Sequence, residues 1–403
     1  MKTRSKKYEG KRELILQAAT QTINRKGLKG MLISDVALLL NMAPTSVAYY
    51  YRTKEELAAA SYLRSIDTYT QVIESAAGLP TVAERLSHLV RTFFTLMQDV
   101  AIGEGQEIAI FEDLRAFGEG EVFKSYVSMF KALRSLFLTD GSLPSDRTRV
   151  NAQTHLVLIN LAYAQAWLQE HHPSTYLRAA LRFEDILLHG IGKQTREWSP
   201  QNLPMIDQAD APESDSQEAF LRVATGLMNL HGYRGASVEN IVAELNLTRG
   251  AFYHHIDFKD DLIETCYSRS LDAIRLAQEA ADRLNADSRS RLEAILAHLV
   301  QRQLARDDQL LRNIFISVPE SMKRNIDIMN RPNETYFVSL VSDGIADGSL
   351  RIVDAHMAAR ILSCSLNGAV ELSIGNWLPS PLSDRATEYF VRPLFEGLLS
   401  CDE

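Results

Sequence analysis

The octapeptide at residues 248–255, TRGAFYHH, holds side chains that can form hydrogen bonds with DNA. The planar guanidinium of Arg249 can donate two parallel hydrogen bonds to one guanine. Gly250 and Ala251 are small enough to let a helix approach the duplex closely, and the hydroxyl and imidazole groups add partners for phosphates or base edges. The candidate DNA contacts of this segment are Thr248, Arg249, Gly250, Ala251, Tyr253 and His254.

The residues before this octapeptide indicate that it begins the second helix of a pair. Ser237 is a good N-cap, and the apolar residues after it recur at helical spacing: Val238, Ile241, Val242 and Leu245. Asn246 then favours a tight turn, because asparagine tolerates the left-handed conformation. Two short helices joined in this way are typical of a helix-turn-helix DNA reader, although an αα-hairpin inside a helical core has the same pattern.

A second copy of this pattern occurs at residues 27–57, offset by 205 residues without a gap. Of 44 aligned positions, beginning with Leu14 against Ala219, 10 are identical. They are core apolar residues, turn residues and the start of the next helix: Leu16, Ala19, Thr20, Asn24, Gly27, Gly30, Leu40, Asn41, Lys54 and Leu57. A chain of 403 residues is too long for one core, so the repeat predicts a tandem duplication of one whole subunit.

The later copy resembles the DNA-binding region of the TetR family of bacterial repressors. The matching residues are Gly232, Ser237, Ile241, Leu247, Thr248, Arg249, Gly250, Phe252, Tyr253, His254, His255, Ile256, Lys259 and Leu262. The resemblance implies an all-α fold of two TetR-like halves, each with an N-terminal three-helix helix-turn-helix domain and a larger helical ligand-binding domain. It also implies that the last two helices of each half pair in a four-helix bundle, which makes the chain an intramolecular pseudo-dimer.

The expected domain order follows from the repeat and from a break in the apolar pattern. We expect helix-turn-helix domains at residues 1–57 and 217–262, ligand-binding and dimerisation domains at 58–192 and 263–403, and a linker at 193–216. The last helices of the two halves are expected at residues 150–168, 176–191, 355–374 and 383–399. The Pro-, Asp- and Ser-rich linker can reach on the order of 80 Å when extended, which is enough to join the two halves. A further homodimer of the whole chain stays open.

The earlier reader departs from the family pattern at two positions. Leu32 stands where the later reader has the cap Ser237, so we expect its middle helix to begin at Ser34. Ala48 stands where the later reader has Tyr253, which in the family usually contacts a phosphate. Both departures remove a polar group from the surface that would face DNA.

The predicted recognition helix of the earlier reader begins at Pro44, where the missing N–H does no harm. We expect Tyr51 to be buried, and the tyrosines before it to be at least partly exposed, although all three can be packing residues. The candidate DNA contacts of this reader are Pro44, Thr45, Ser46, Tyr49, Tyr50 and Lys54, with Lys259 at the position of Lys54 in the later reader. For the two lysines the alternative is an ordinary solvated surface.

The two readers differ in charge as well as in side chains. Residues 1–57 carry eleven Lys and Arg against five Asp and Glu, whereas residues 216–262 carry four against six. The first twelve residues are expected to form a disordered basic tail, which either serves solubility or lies along phosphates or in a minor groove. The candidate DNA contacts of this tail are Arg4, Lys6 and Lys7.

The recognition segments PTSVAYY and RGAFYHH share almost no side chains. A homodimer recognises a palindrome because its two readers are identical. With unlike readers, the expected partner is a double-stranded DNA operator whose two half-sites differ.

The helical bodies are expected to sense a small hydrophobic effector. The resemblance implies a mostly apolar cavity in each half, in which a bound effector weakens DNA binding. Aromatic residues and methionine at helical spacing can equally be plain core, and one of the two cavities can have drifted. The candidate lining residues are Phe93, Phe94, Met97, Phe111, Tyr126, Tyr163 and Trp167 in the first half, and Phe315, Met322, Tyr336, Phe337 and Trp377 in the second.

The sequence does not support catalysis, and we expect neither a cofactor nor a metal ion. It holds no Gly-rich phosphate loop, no GxSxG and no HExxH motif, and its three cysteines are scattered. No apolar run approaches the ~20 residues of a membrane span. A cytoplasmic, nucleoid-associated bacterial regulator is therefore expected. The rival hypothesis is a ligand-binding or protein-interaction module on the same scaffold, with one or both readers degenerate.

Overall fold

The regular structure of the protein is helical. The computed structural model describes residues 6–111, 117, 120–138, 147–193, 196–204, 215–235, 237–244, 259–305, 309–311, 320–366 and 385–399. Within these ranges, extended backbone pairs only in an isolated antiparallel bridge between Gly192 and Leu350. The predicted all-α fold is therefore confirmed. In the same ranges no helix is long and apolar enough to span a bilayer.

The chain forms two compact units. The first unit comprises Met1–Leu138, Ala164–Leu177 and Phe315–Glu320, and the second comprises Thr139–Tyr163, Arg178–Ile314 and Ser321–Glu403. This division cuts across the two halves read from the sequence. Residues 139–163 and 178–192, which end the first half, belong to the same unit as most of the second half.

In the first half, two short helices lie between a long first helix and the longer helices of the body. The bounds of these helices are α1 Lys6–Gly30, α2 Ile33–Leu39, α3 Pro44–Tyr50, α4 Lys54–Ala77, α5 Val82–Ala101, α6 Glu121–Ser135, α7 Arg147–Leu168 and α8 Tyr176–His189. Body helix α5 shows why they form. Thr81 and Glu84 cap its start reciprocally. Its apolar residues recur every three or four positions and are all buried: Leu86, Leu89, Val90, Phe93, Phe94 and Met97.

Helix α1 begins at Lys6, within the twelve residues that were expected to be disordered. From Lys6 onward the basic start of the chain is helical, so the expectation of a disordered tail was wrong for residues 6–12. Glu9 lies in the first turn, where a carboxylate interacts favourably with the helix dipole. Gly27 has a φ of 69° and kinks α1 there.

The second half repeats the order of reader and body helices. Its described helices are α9 Asp215–Gly235, α10 Val238–Glu244, α11 Lys259–Asp282, α12 Ser288–Leu304, α13 Glu320–Ala346, α14 Ala355–Ser365, α15 Ala386–Phe390 and α16 Arg392–Glu396. The single helix expected at residues 383–399 is instead two short helices that meet at Val391. Pro393 explains the break, because it has no N–H to donate to the preceding turn and its ring clashes with it.

A cluster around Arg64 joins the first reader, which is the earlier helix-turn-helix domain expected at residues 1–57, to the helical body that follows it. The guanidinium of this α4 residue contacts the Glu13 carboxylate at 2.6 Å and the Thr20 hydroxyl at 2.9 Å, and donates to the Glu107 carbonyl at 3.0 Å. Asn24 donates to the Ile108 carbonyl at 2.9 Å. Nearby, the Ser65 hydroxyl accepts from the Ala109 N–H at 2.8 Å. We call this cluster, formed by Glu13, Thr20, Asn24, Arg64, Ser65 and residues 107–110, the first reader joint.

The second half builds the same joint from its own residues. The Arg269 guanidinium contacts the Glu218 carboxylate at 2.6 Å and donates to the Gln309 carbonyl at 3.5 Å. Asn229 donates to the Leu310 carbonyl at 2.9 Å. The hydroxyl of Ser270, like that of Ser65, accepts a backbone N–H at 2.8 Å, here from Leu311. Glu218, Asn229, Arg269 and Ser270 are identical to Glu13, Asn24, Arg64 and Ser65 at the offset of 205 residues.

Replacement of Arg64 by methionine is expected to lower the free energy of unfolding of the first unit by about 2 kcal/mol, because it leaves a carboxylate, a hydroxyl and a carbonyl without their donor. Denaturant titration followed by circular dichroism measures this loss. The matched control is Arg275→Met, which breaks an ion pair with Glu279 between side chains that are 56% and 45% exposed. That variant is expected to cost less than about 0.5 kcal/mol. Equal effects of the two variants would contradict a structural role for the joint.

Candidate nucleic-acid interface

The first reader is a helix-turn-helix. Helix α2 ends at Leu39, and the chain turns through Asn41, whose φ of 50° is the left-handed conformation expected at this position. The Met42 N–H donates to the Ala37 carbonyl at 2.9 Å and closes the turn. Helix α3 then begins at Pro44, as predicted.

The side chains of α3 divide between the core and the surface. Val47 is fully buried, and Tyr51, directly after the helix, is 2% exposed, which confirms its predicted place in the core. Thr45 is exposed, Ser46 is half-buried, and Tyr49 is 74% exposed. The candidate contacts of α3 therefore lie on its solvent side, and their binding to DNA stays a prediction.

The two readers differ at the start of their middle helices. In the second reader, the Ser237 hydroxyl accepts from the Asn240 N–H at 3.2 Å, which confirms the expected cap. In the first reader, Leu32 occupies the N-cap with extended backbone and no side-chain hydrogen bond, and α2 begins at Ile33, one residue before the predicted start at Ser34. Leu32 is 54% exposed. This end of α2 therefore presents a hydrocarbon side chain to solvent instead of a hydroxyl.

Lys54 begins α4, as expected, but its ammonium group donates to the Lys29 carbonyl at 2.9 Å. This bond satisfies a carbonyl near the end of α1 and brings positive charge close to the reader. In the second reader, Lys259 also begins a helix, α11, and its side chain lies outside the described residues.

Three tyrosines form an aromatic cluster on the surface of the first reader. The Tyr8 ring of α1 lies 4.8 Å from the Tyr50 ring and 6.3 Å from the Tyr49 ring, centroid to centroid. Tyr49 and Tyr50 are in edge contact at 5.3 Å. Sequence reasoning missed Tyr8, because only the helical start of α1 brings it to α3. We call Tyr8, Tyr49 and Tyr50 the tyrosine cluster.

A second contact links the same two helices below the surface. The Arg12 guanidinium lies over the Tyr51 ring at 5.6 Å. Burial raises the pKa of Tyr51, so this phenol stays neutral at physiological pH. The basic start of α1 is thus attached to the recognition helix both at the tyrosine cluster and at Tyr51.

Most candidate contacts of the second reader lie outside the described residues. This holds for Thr248, Arg249, Gly250, Ala251, Tyr253 and His254, and for Arg4 in the tail. The described part of that reader is α9, α10 and the start of α11. Ile241 of α10 is fully buried, as its helical spacing predicted.

Most candidate effector residues of the first half belong to one aromatic cluster in the first unit. The Tyr69 ring lies 5.4 Å from the Phe93 ring and 5.3 Å from the Phe111 ring. Phe111 also contacts Tyr126, and Phe94 contacts Trp167. Met97 is buried in the same unit, whereas Tyr163 is half-buried on the part of α7 that belongs to the second unit. The structure therefore brings together the candidates that lie in the first unit.

One polar pair lies within this cluster. The side-chain amide of Gln165 donates to the Tyr69 hydroxyl at 2.8 Å, and both residues are buried. Burial raises the pKa of Tyr69, so its hydroxyl stays protonated. Neither partner was a candidate from sequence, because the contact joins α4 to α7 across 96 residues.

The candidates of the second half are less closely grouped. Met322 and Phe337 are buried in the second unit, whereas the Tyr336 hydroxyl donates to the Asp282 carboxylate at 2.9 Å near the surface. Phe315 and Trp377 lie outside the described residues.

Comparison with known proteins finds a similarity in the second reader. Residues 220–266 match the family model described as bacterial regulatory proteins, tetR family. The crystal structure of apo AibR is 22% identical, with 45% of this chain and 99% of that chain covered and a TM-score of 0.35. A transcriptional regulator of the TetR/AcrR family from Thermobifida fusca YX-ER1 is 20% identical, with coverages of 45% and 97% and a TM-score of 0.32. These two scores are too low to carry an argument. No curated protein matches the chain.

The unlike caps predict opposite effects of two substitutions. Ser237→Ala is expected to lower the free energy of unfolding by about 1 kcal/mol, since it removes the acceptor for an orphan N–H. Leu32→Ser is expected to raise it by a similar ~1 kcal/mol, because the backbone already has cap geometry and the leucine is half exposed. Denaturant titration measures both values. Leu32→Ala is the control without a hydroxyl, and equal stability of the serine and alanine variants would contradict the cap explanation.

Proposed function

We propose that the chain is a TetR-like transcriptional regulator that binds one operator with two unlike readers, because residues 220–266 match the tetR-family model. The observation that carries the proposal is the family match on the second reader, together with a first reader that folds as a helix-turn-helix at the position of the repeat. The proposed place of action is the DNA of the bacterial nucleoid.

The reader joints support descent of the two halves from one duplicated subunit. In both halves an arginine bridges a reader glutamate to a body carbonyl, and an asparagine and a serine bond to the same segment. The packing of a reader against a body does not require these four residue types, because many residue types can cover a helix. Its recurrence at one offset in two otherwise diverged halves is the expected result of duplication.

Reciprocal hydrogen bonds in the second unit support an intramolecular pseudo-dimer. The Ile191 N–H donates to the Leu394 carbonyl at 2.9 Å, and the Leu398 N–H donates to the Leu187 carbonyl at 3.0 Å. An offset of 207 residues converts Ile191 to Leu398 and Leu187 to Leu394, so each bond is the two-fold mate of the other. Such reciprocity is the signature of an isologous interface, here between the ends of the two halves.

Two glycines at the same offset bring these backbones together. A Cβ on Gly190 would lie 2.3 Å from the Phe395 carbonyl, and one on Gly397 would lie 2.2 Å from the Leu188 carbonyl oxygen. Both glycines have positive φ, 65° and 92°. Leu188 and Phe395 are themselves 207 residues apart, so this contact is reciprocal as well.

The start of the linker is fixed to the second half. Arg289 of α12 is 1% exposed and donates to the Lys193 carbonyl at 2.6 Å while it pairs with the buried Glu293. Arg196 pairs with Asp287 at 2.9 Å, and the Trp198 ring lies 6.0 Å from Phe395. A tether anchored in this way keeps the effective concentration of the partner half high.

The divergent readers support an operator with two different half-sites. Arg249 is the proposed guanine contact of the second reader, whereas the Thr45 and Ser46 hydroxyls of the first reader are more permissive. Exposed side chains determine base choice, and these differ between the readers, whereas the buried joints agree. Because the recognition side chains differ between the readers, each reader is proposed to select a different half-site.

A small hydrophobic effector that releases DNA is the proposed signal, which makes the protein a repressor. The aromatic cluster of the first unit, with its Tyr69–Gln165 pair, supports the first half as the effector site. Alignment of α5 and α12 by their N-caps puts Leu299 and Val300 at the positions of Phe93 and Phe94. The second half thus lacks these aromatic rings at the corresponding places.

The second candidate function is a ligand-binding or protein-interaction module that no longer reads DNA. Two apolar side chains on the surface of the first reader favour this second function: Leu32, and Leu38, which is 76% exposed. The basic, helical start of α1 weighs against it, since a protein-interaction module has no need of clustered lysines beside α3.

Selection from random duplex DNA at fixed salt tests the regulator. The wild type is expected to enrich one asymmetric site. Arg249→Ala is expected to weaken binding roughly tenfold to a hundredfold and to relax one half-site, since a bidentate contact to guanine is lost. Thr45→Ala is expected to relax the other half-site.

Controls for this selection are Arg275→Ala and Thr95→Ala, which remove exposed side chains of the bodies. Relaxation by only one reader variant would reduce the other copy to a scaffold. Failure of the wild type to enrich any site would favour the second candidate function.

Cleavage of the linker tests the pseudo-dimer. A protease site inserted within residues 205–214 is expected to yield two fragments that still co-elute at the size of the intact chain, 45.2 kDa, because the interface is internal to the chain. Size-exclusion chromatography of dilute samples measures the association. Gly397→Ala is expected to weaken it by steric clash with Leu188, whereas Gly78→Ala, where a Cβ meets no atom within 4 Å, is the control. Separation of the wild-type fragments would contradict the pseudo-dimer.

A further inference from the structure

The start of α1 forms a basic, helical extension of the first reader. Lys6, Lys7 and Lys11 are exposed on it. Glu9, the one acidic residue among them, faces Arg12 at 3.9 Å. The positive charge of the extension is therefore directed to solvent on the same domain as the recognition helix α3.

Tyr8 is the residue that holds this extension against α3. Its ring contacts both Tyr49 and Tyr50, one in tilted and one in edge geometry, the arrangements that aromatic quadrupoles favour. Four residues later, Arg12 lies over the Tyr51 ring. One face of the first two turns of α1 thus follows three consecutive tyrosines at the end of α3.

The sequence of the second half lacks the residues that form this extension. At the offset of 205 residues, the sequence places Ala211, Pro212 and Glu213 where the first half has Lys6, Lys7 and Tyr8. The residues that correspond to Tyr49 and Tyr50 are His254 and His255. Both sides of the aromatic contact are therefore specific to the first reader.

We propose that Tyr8 is a positioning residue of the first reader, which fixes the lysines of α1 beside α3 so that they bind the phosphates that flank the first half-site. This inference rests on the proposed regulator and deepens it by assigning a second DNA-binding surface to one side of the operator only. The ligand of this surface is the sugar–phosphate backbone of duplex DNA. The extension adds affinity and length to the first half-site without adding base choice.

The physical reason for an aromatic anchor is entropy. A lysine in a flexible tail loses conformational freedom when it binds a phosphate, whereas a lysine on a preformed helix has lost most of its backbone freedom already. The cluster serves this purpose and contributes little to folding, because Tyr49 is 74% exposed and buries little apolar surface.

The test measures the affinity of the intact chain for its selected duplex as a function of salt. Each phosphate contact contributes about 0.9 to the slope of log K against log salt. Tyr8→Ala is expected to make the slope shallower by about 2, as the double variant Lys6→Ala/Lys7→Ala does, because both lose the same two contacts. Tyr8→Phe keeps the ring and is expected to keep the wild-type slope. Leu14→Ala, which removes another exposed apolar side chain of α1, is the matched control.

Hydroxyl-radical footprinting supplies a second measurement. The wild type is expected to protect additional sugars on one flank only, beyond the half-site that Thr45→Ala relaxes. Tyr8→Ala is expected to lose this protection with an unchanged unfolding midpoint. When Tyr8→Ala is combined with Lys6→Ala/Lys7→Ala, the triple variant is expected to lose no more protection than the lysine variant alone, because Tyr8 acts through those lysines.

Three results would overturn the inference while the regulator stands: an unchanged slope in Tyr8→Ala, additive losses in the combined variant, or equal protection on both flanks. A wild type that selects no duplex at all would overturn the regulator and this inference together.

Discussion

The contact on which each reader depends is the bridge formed by one arginine. The Arg64 side chain is only 13% exposed, so its charge requires partners, and it finds them on α1 and in the segment that follows α5. One guanidinium therefore holds three separate stretches of chain in a fixed arrangement. Arg269 does the same in the second half, with 10% exposure. Loss of either side chain leaves several partners unsatisfied at once, which explains why this cluster has changed so little between the halves.

The same reasoning explains where the two halves differ. A buried polar network changes only if all its members change together, whereas an exposed residue changes alone at little cost in stability. Leu32 and Ser237 occupy one position of the repeat, and each is compatible with the start of its helix. Under the proposed duplication, folding retained the joints while the surfaces that face DNA became distinct. A single chain with two distinct readers no longer requires a palindrome.

The proposed interface between the halves rests on main-chain contacts. The hydrogen bonds of Ile191 and Leu398 are made by the backbone. Gly190 and Gly397, which have positive φ, allow the two backbone segments to approach each other closely. Under the proposed duplication, side chains around these contacts can diverge without loss of the two-fold arrangement. Because both partners belong to one chain, association needs no second molecule, and each regulator would carry one copy of each reader.

The sequence by itself determined the all-α class, the turn at Asn41 and the start of the recognition helix at Pro44, because these follow from local propensity and apolar period. For the first reader it also indicated that Thr45 and Tyr49 would be exposed, and for the second reader it indicated a resemblance to the TetR family, whose model matches residues 220–266. Only the tertiary structure decided that α1 begins at Lys6, that Tyr8 meets α3, and that Arg64 joins reader to body. Each of these depends on residues from 41 to 51 positions apart or on the packing they create, and a local pattern carries no information on such pairs.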